Sequence, residues 1–203
     1  MYLGASLPSV DSVQSVIITG SPAMVSDRPD WSEASARWLA KIVAEDSLPV
    51  LGLCYGHQLL AHGMGGQVGP NPQGREMGTV DVNFHGEGKT VEDGLNGLGP
   101  LFEKGVFPAH MSHVESVLRL PEGARIVAHT AFDPHSVIAF GPRQWGVQFH
   151  PEFDCEIMHG YVDARREMLV SEGLDPDAMI ADVTETSAIS AVLSRFADWS
   201  ELS

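Results

Sequence analysis

The sequence predicts an α/β fold, a three-layer sandwich with a mostly parallel central sheet. Three observations predict it: short apolar or β-branched runs that read as strands, amphipathic segments of helical period between them, and a close of one strand followed by two helices. The chain has 203 residues, 43% of them hydrophobic and 19% charged, a globular balance with enough length to bury a core. It reads as a single domain over 1–203, with an irregular or truncated start at 1–15 and a helical extension at 174–203.

Val16-Ile17-Ile18-Thr19 is a β-branched run stopped by Gly20-Ser21-Pro22, a strand and a tight turn. Asp30 with Glu33 three residues on reads as an N-cap with an acidic partner. Behind it Ala34, Trp38 and Ile42, widened by Leu39 and Val43, trace one helix face that runs out near Asp46. Val50-Leu51-Gly52-Leu53 is an apolar run of the kind buried in parallel sheets. A second helix follows over about 57–64, closed by Gly65-Gly66. Residues 69–74, rich in Gly, Pro and Asn, read as a loop, and Thr79 to Phe84 as a strand alternating Val80 and Val82 with Asp81 and Asn83. After a polar stretch, strands are expected at Ala124 to His129, Ser136 to Phe140 and Trp145 to Phe149. The spacing of Ile157, Tyr161, Ala164 and Met168 predicts a helix over 156–170; Ile189, Val192, Leu193, Phe196 and Trp199 predict a last one from about Ser187.

Charge narrows the function. Twelve Lys and Arg against 27 Asp and Glu leave a net charge of −15, which repels phosphate backbones, so no nucleic-acid partner is expected. No apolar run approaches a membrane span and residues 1–15 lack a signal-peptide pattern, so no membrane partner is expected. Two cysteines, Cys54 and Cys155, make no disulfide framework and fit a reducing cytoplasm. His57 with His62, and His110 with His113, lack the Cys or carboxylates that would complete a ligand set; no metal or organic cofactor is expected. Arg75 and Glu76 read as a solvated loop pair.

The chemistry is concentrated in two short blocks. Gly52-Leu53-Cys54-Tyr55-Gly56 is G-x-C-x-G between an apolar strand and a helix. Small residues on both sides let the chain turn sharply at Cys54 and push its side chain above the sheet edge. There the positive end of a helix stabilises a thiolate, and the amide of Tyr55 points where an oxyanion would form. A free cysteine is more often a small buried residue, so this block alone decides little. The second block, Gly146-Val147-Gln148-Phe149-His150-Pro151-Glu152, places His150 and Glu152 two apart at a strand end, on one face, with Pro151 stiffening the step. A carboxylate beside an imidazole fixes its tautomer and leaves the other nitrogen free to take a thiol proton. An isolated H-x-E is ordinarily a solvated pair; together with an elbow cysteine it reads as a Cys54–His150–Glu152 triad. In cysteine variants of the α/β-hydrolase fold the acid precedes the histidine as a separate element, whereas Glu152 follows His150.

These blocks resemble the signatures of class I glutamine amidotransferases over residues 16 to about 170, and the resemblance implies that family's flavodoxin-like fold. It further implies that Thr19-Gly20-Ser21-Pro22 is the oxyanion turn, with Gly20, Ser21 and Tyr55 as oxyanion residues and Ser21 standing where the family has glycine. Gly56 and Gln58 would contact substrate. His110-Met111-Ser112-His113 resembles the segment by which the amidotransferase domain of GMP synthetases holds the substrate α-groups through backbone, which brings Met111, Ser112 and His113 into the site. Family members carry a strand and helix before the segment equivalent to 16–22, and this chain is expected to lack both, leaving two interior sheet edges unpaired. A longer chain starting upstream is then expected to be more stable.

The implied substrate is glutamine or another γ-glutamyl compound. Three classes stay open: a glutaminase that passes ammonia to a separate synthetase, a free-standing γ-glutamyl hydrolase or peptidase, and a non-catalytic binding protein on the same scaffold. The chain ends soon after the triad, so any ammonia acceptor is expected to be a separate protein.

Overall fold

The computed structural model describes residues 5–84 and 105–202; the first four residues of the irregular start and the polar stretch after Phe84 lie outside the described residues. The described residues form nine strands: β1 Val16–Ile18, β2 Val50–Leu53, β3 Gln67–Pro70, β4 Glu76–Phe84, β5 Gly105–His113, β6 Glu115–Arg119, β7 Arg125–His129, β8 Val137–Ala139 and β9 Gln144–Val147. Seven of them make one sheet in the order β1-β2-β9-β8-β7-β4-β5, and β3 pairs with β6 in a separate antiparallel ribbon. The helices are α1 Asp30–Glu45, α2 Tyr55–Gly63, α3 Cys155–Asp163, α4 Arg166–Ser171, α5 Pro176–Ala181 and α6 Ser187–Leu202.

The sheet is mixed, which corrects the expectation that it would be mostly parallel. Parallel pairing is confined to β1–β2 and β2–β9; β9–β8, β8–β7, β7–β4 and β4–β5 are antiparallel. The reason is connection length. A parallel neighbour needs a crossover, which α1 supplies between β1 and β2, whereas residues 140–143 between β8 and β9 suffice only for a hairpin.

Helices cover both faces. On one, Ile189, Val192 and Phe196 of α6 join Leu53, Val147 and Phe149 in a core where Trp145 meets Trp199 edge-on at 5.1 Å. Each such apolar side chain stabilises the fold by about 1.5–3 kcal/mol, so α6 is an integral layer and not a peripheral extension. On the other face Leu39 and Ile42 of α1 and Leu59 and Leu60 of α2 pack with Val50 and Ile138. A third cluster links Met77 and Phe153 to Met158, Val162 and Leu169 of α3 and α4.

Several local expectations shift. Asp30 is the first residue of α1 and not its cap; Pro29 precedes it, and the Glu33 carboxylate binds Arg28 and His62 instead of reaching back. The helix expected over 156–170 is two helices, broken at Ala164-Arg165. The expected loop at 69–74 opens inside β3.

Among the described residues, 5–15 contribute one 3-10 turn, Val10–Ser12, and no strand or α-helix. The gap is at the edge and not interior: among the described residues the sheet runs unbroken from β1 to β5, and β1 pairs only with β2. A cavity of about 850 Å³ lies beside it, walled by Val13, Val16, Ile18, Trp31, Trp38 and Leu39. Among the described residues no helix is long and apolar enough to cross a membrane.

Candidate active site

The C-terminal ends of the parallel strands β1, β2 and β9 bring three chain segments to one place, the usual location for a site in such a sheet. Cys54 follows β2 and precedes the first residue of α2. Its backbone has φ 48° and ψ −100°, outside the regions an L-residue favours, and its amide is pinned to the Val147 carbonyl at 2.8 Å. Such a conformation costs on the order of 1–3 kcal/mol and persists where its surroundings enforce it. The flanking glycines are what enforce it. A Cβ on Gly52 would lie 2.5 Å from the Gly56 backbone, and one on Gly56 would lie 2.4 Å from the Ile18 carbonyl oxygen. Gly56 therefore serves the elbow by packing under β1 and does not line the cavity.

His150 lies just beyond β9, its amide donating to the His110 carbonyl at 2.9 Å. Its Nδ1 is 2.8 Å from Glu152 Oε1. The two side chains meet across a turn closed by Phe153 N–H to the His150 carbonyl, rather than by the alternation of an extended strand. Burial is the largest influence on the ring and disfavours its charge, yet hydrogen bonds to Cys54 and Glu152 outweigh it and lift His150 to about 9. A Cβ on Gly20 would be 3.0 Å from His150 Cε1 and 3.8 Å from Cys54 Cβ, so the β1 turn closes directly over both groups.

The rest of the expected set divides. Ser21 occupies the turn without positive φ, so its Cβ carries no backbone strain, and its hydroxyl accepts the Ala23 amide at 3.1 Å. Tyr55 turns its ring away to stack on Trp31 at 5.5 Å and donates its hydroxyl to Ser32, leaving its backbone amide at the elbow. Gln58 lines the cavity, with its amide nitrogen donating to Glu115 O at 2.7 Å and Gln148 Oε1 at 3.1 Å. Ser112 and His113 line the cavity as well; Met111 does not and is completely buried in the core. The Ser112 carbonyl lies 4.0 Å from Cys54 Sγ.

Arg75 and Glu76 are not a solvated pair. Arg75 lines the cavity and binds Glu172, whereas Glu76 is buried, held by His113 Nε2 at 2.9 Å and the Thr130 hydroxyl at 2.6 Å. Burial pushes His57 down to about 3, so this histidine stays neutral behind the elbow.

Two groups were not read from the sequence. The buried Glu115 carboxylate accepts the amides of Val25 at 2.8 Å and Ser26 at 3.3 Å, tying the segment after the β1 turn to the β5–β6 junction. Phe153, Tyr161 and Arg165 wall the cavity on the His150 side. The four-residue step from Tyr161 to Arg165 was the available signal for the second group, masked by assigning that helix face to the core. The whole cavity measures about 720 Å³.

The family model for glutamine amidotransferase class-I matches residues 5–162. The GMP synthase [glutamine-hydrolyzing] of Aeropyrum pernix is 38% identical over 151 residues, covering 74% of this chain and 26% of that protein. That of Porphyromonas gingivalis is 31% identical over 187 residues, covering 92% and 33%. The chain therefore spans about a quarter to a third of the length of these curated relatives. Among solved structures, a glutamine amidotransferase from Thermotoga maritima matches with TM-score 0.76 at 19% identity, covering 99% of this chain and 84% of that one. A glutamine amido transferase from Methylobacillus flagellatus matches with TM-score 0.67 at 23% identity, covering 98% and 77%.

Proposed function

The chain belongs to the class I glutamine amidotransferase family, and we propose that it hydrolyses the side-chain amide of glutamine through a thioester on Cys54. The observation that carries this reading is His150, its Nδ1 2.8 Å from Glu152 Oε1, lining one cavity with Cys54 at a strained elbow. The Cys54 sulfur attacks the γ-carbonyl carbon, forming a C–S bond and an oxyanion. The Tyr55 amide and one amide of the Gly20-Ser21 turn hold that oxyanion; losing one such donor costs about 10²–10³ in rate. As the tetrahedral species collapses the C–N bond breaks, and the His150 imidazolium gives its proton to the departing ammonia. Neutral His150 then takes a proton from water, which attacks the thioester and releases glutamate and the free thiol. Ser112, His113 and Gln58 bound the substrate end of the cavity.

The ammonia passes to a synthetase, a reading supported by the glutamine-hydrolysing GMP synthases among its relatives. Ammonia release from glutamine is the test. Cys54→Ala should lower it by at least about 10⁴-fold, given what loss of a nucleophile costs, while the circular dichroism spectrum is unchanged; persisting activity would remove Cys54 from the mechanism. A cavity of about 720 Å³ is large for one free amino acid and favours a second reading, hydrolysis of larger γ-glutamyl amides by the same residues.

A further inference from the structure

Two arginines line the cavity, and their situations differ. Arg75 donates Nε and Nη2 to both oxygens of Glu172, at 2.7 and 3.0 Å, so its charge is already answered. Arg165 has no carboxylate partner among the described residues. It donates to the Tyr161 carbonyl at 3.2 Å, and its guanidinium carbon sits 4.4 Å above the centre of the Tyr161 ring. In a chain of net charge −15, acidic partners are plentiful. A half-buried guanidinium without one, held flat on an aromatic face beside the site, is a cation kept available for an anion from outside.

Its position fixes which part of a substrate could supply that anion. From His150 a continuous series of rings leads outward: His150 stacks on Phe153 at 4.2 Å and 15°, Phe153 meets Tyr161 at 4.6 Å, and Arg165 lies over Tyr161. His150 is the group that protonates the departing amine in the mechanism above, so the amine leaves on the His150 side. Any substituent on its nitrogen then lies along the Phe153–Tyr161 wall, with Arg165 at the far end. Ser112 and His113, at the end of β5, line the same cavity.

We propose that Arg165 receives a carboxylate carried by the leaving amine, so that among the larger γ-glutamyl amides of the second reading, γ-glutamyl amino acids and γ-glutamyl peptides are preferred. The inference rests on the hydrolytic reading of Cys54 and His150. The chemistry is unchanged: the C–N bond to the amino acid breaks, His150 protonates its nitrogen, and water releases glutamate from the thioester. Arg165 offers a planar pair of N–H donors that suits a carboxylate, with the ring wall excluding water around it.

The test compares kcat/KM for γ-glutamylglycine, which carries the carboxylate, with γ-glutamyl methylamide, which does not. In the unaltered protein the ratio should exceed about ten, the value of one charge-assisted hydrogen-bonded pair. Arg165→Met should bring the ratio down about 10- to 100-fold on the same basis, and Arg165→Lys should restore part of it. A ratio is insensitive to the fraction of folded protein, so a merely structural role for Arg165 leaves it unmoved and overturns the proposal. Equal turnover of both compounds by the unaltered protein overturns it too. If the variant loses equally on both compounds but not on glutaminamide, which lacks the α-carboxylate, Arg165 serves the α-carboxylate and the leaving-group assignment is wrong. If no γ-glutamyl amide is turned over, the hydrolytic reading fails. Calorimetric binding of γ-glutamylglycine to Cys54→Ala protein, with and without Arg165→Met, then decides the carboxylate site: weaker binding in the double variant supports it, and equal binding overturns it.

Discussion

At the β1–β2–β9 end of the sheet the strands are parallel and deliver a strained cysteine, an imidazole and a glycine turn to one point. At the β4–β5 end they are antiparallel, and what reaches the cavity is Ser112, His113 and Glu115 with their buried partners Glu76 and Thr130. The first region places reacting atoms; the second fixes the walls and orients the first. Glu115 is the bridge, because its carboxylate holds the two amides that follow the β1 turn. Catalytic geometry in this fold therefore depends also on β5 and β6, whose carbonyls at Ser112 and Glu115 meet Cys54 and Gln58.

Glu152→Gln probes the first region and should have the largest effect. It keeps the shape but loses the charge that orients and raises His150, so glutamine hydrolysis should fall by about 10²–10⁴-fold. The pH profile sharpens the point. His150 is lifted to about 9, so its imidazolium is present below that pH and the acylation rate should decline as pH rises through it. Without the Glu152 charge that alkaline limb should move to lower pH. A limb that stays in place would detach Glu152 from His150. The same shift bears on stability: relative to the ordinary 6.5, the raised value means that His150 stabilises the fold fully below about pH 6.5 and loses that contribution as pH climbs through about 9.

Glu115→Gln probes the second region and should act more gently. One charge-assisted hydrogen bond on buried amides is lost, a destabilisation of about 1.5–3 kcal/mol, readable by chemical denaturation. Glutamine hydrolysis should fall by about tenfold, on the scale of one weakened orienting contact, with the alkaline limb unmoved because His150 keeps both its partners. If the limb shifts as it does in Glu152→Gln, the division between the two regions is wrong.

The two regions also differ in how far the sequence discloses them. Strand β2 and the elbow are legible because Val50, Leu51 and Leu53 are apolar and because only glycine tolerates the approaches made at positions 52 and 56. The His150–Glu152 pairing is legible as a motif, although a turn produces it. Strands β5 and β6 are not, since Gly105, Pro108, His110, Ser112 and His113 hide the strand pattern, and the His110 and His113 rings meet Thr79 and Glu76, distant in sequence. Strands β4, β7 and β8 are legible, whereas their antiparallel pairing is not. Alternation within a strand says nothing of its neighbour's direction, which connection length decides. Arg165 escaped because its helix is interrupted at Ala164-Arg165, an event set by packing of α3 and α4 and not by any Gly or Pro.

The most direct measurement is to mix the protein with glutamine, quench in acid within one turnover and locate the modified peptide by mass spectrometry. The chain has two cysteines, Cys54 and Cys155. A γ-glutamyl group on the peptide carrying Cys54, and none on that carrying Cys155, is the predicted result. Ammonia released with no adduct on Cys54, or an adduct on Cys155, would contradict nucleophilic attack by the elbow cysteine.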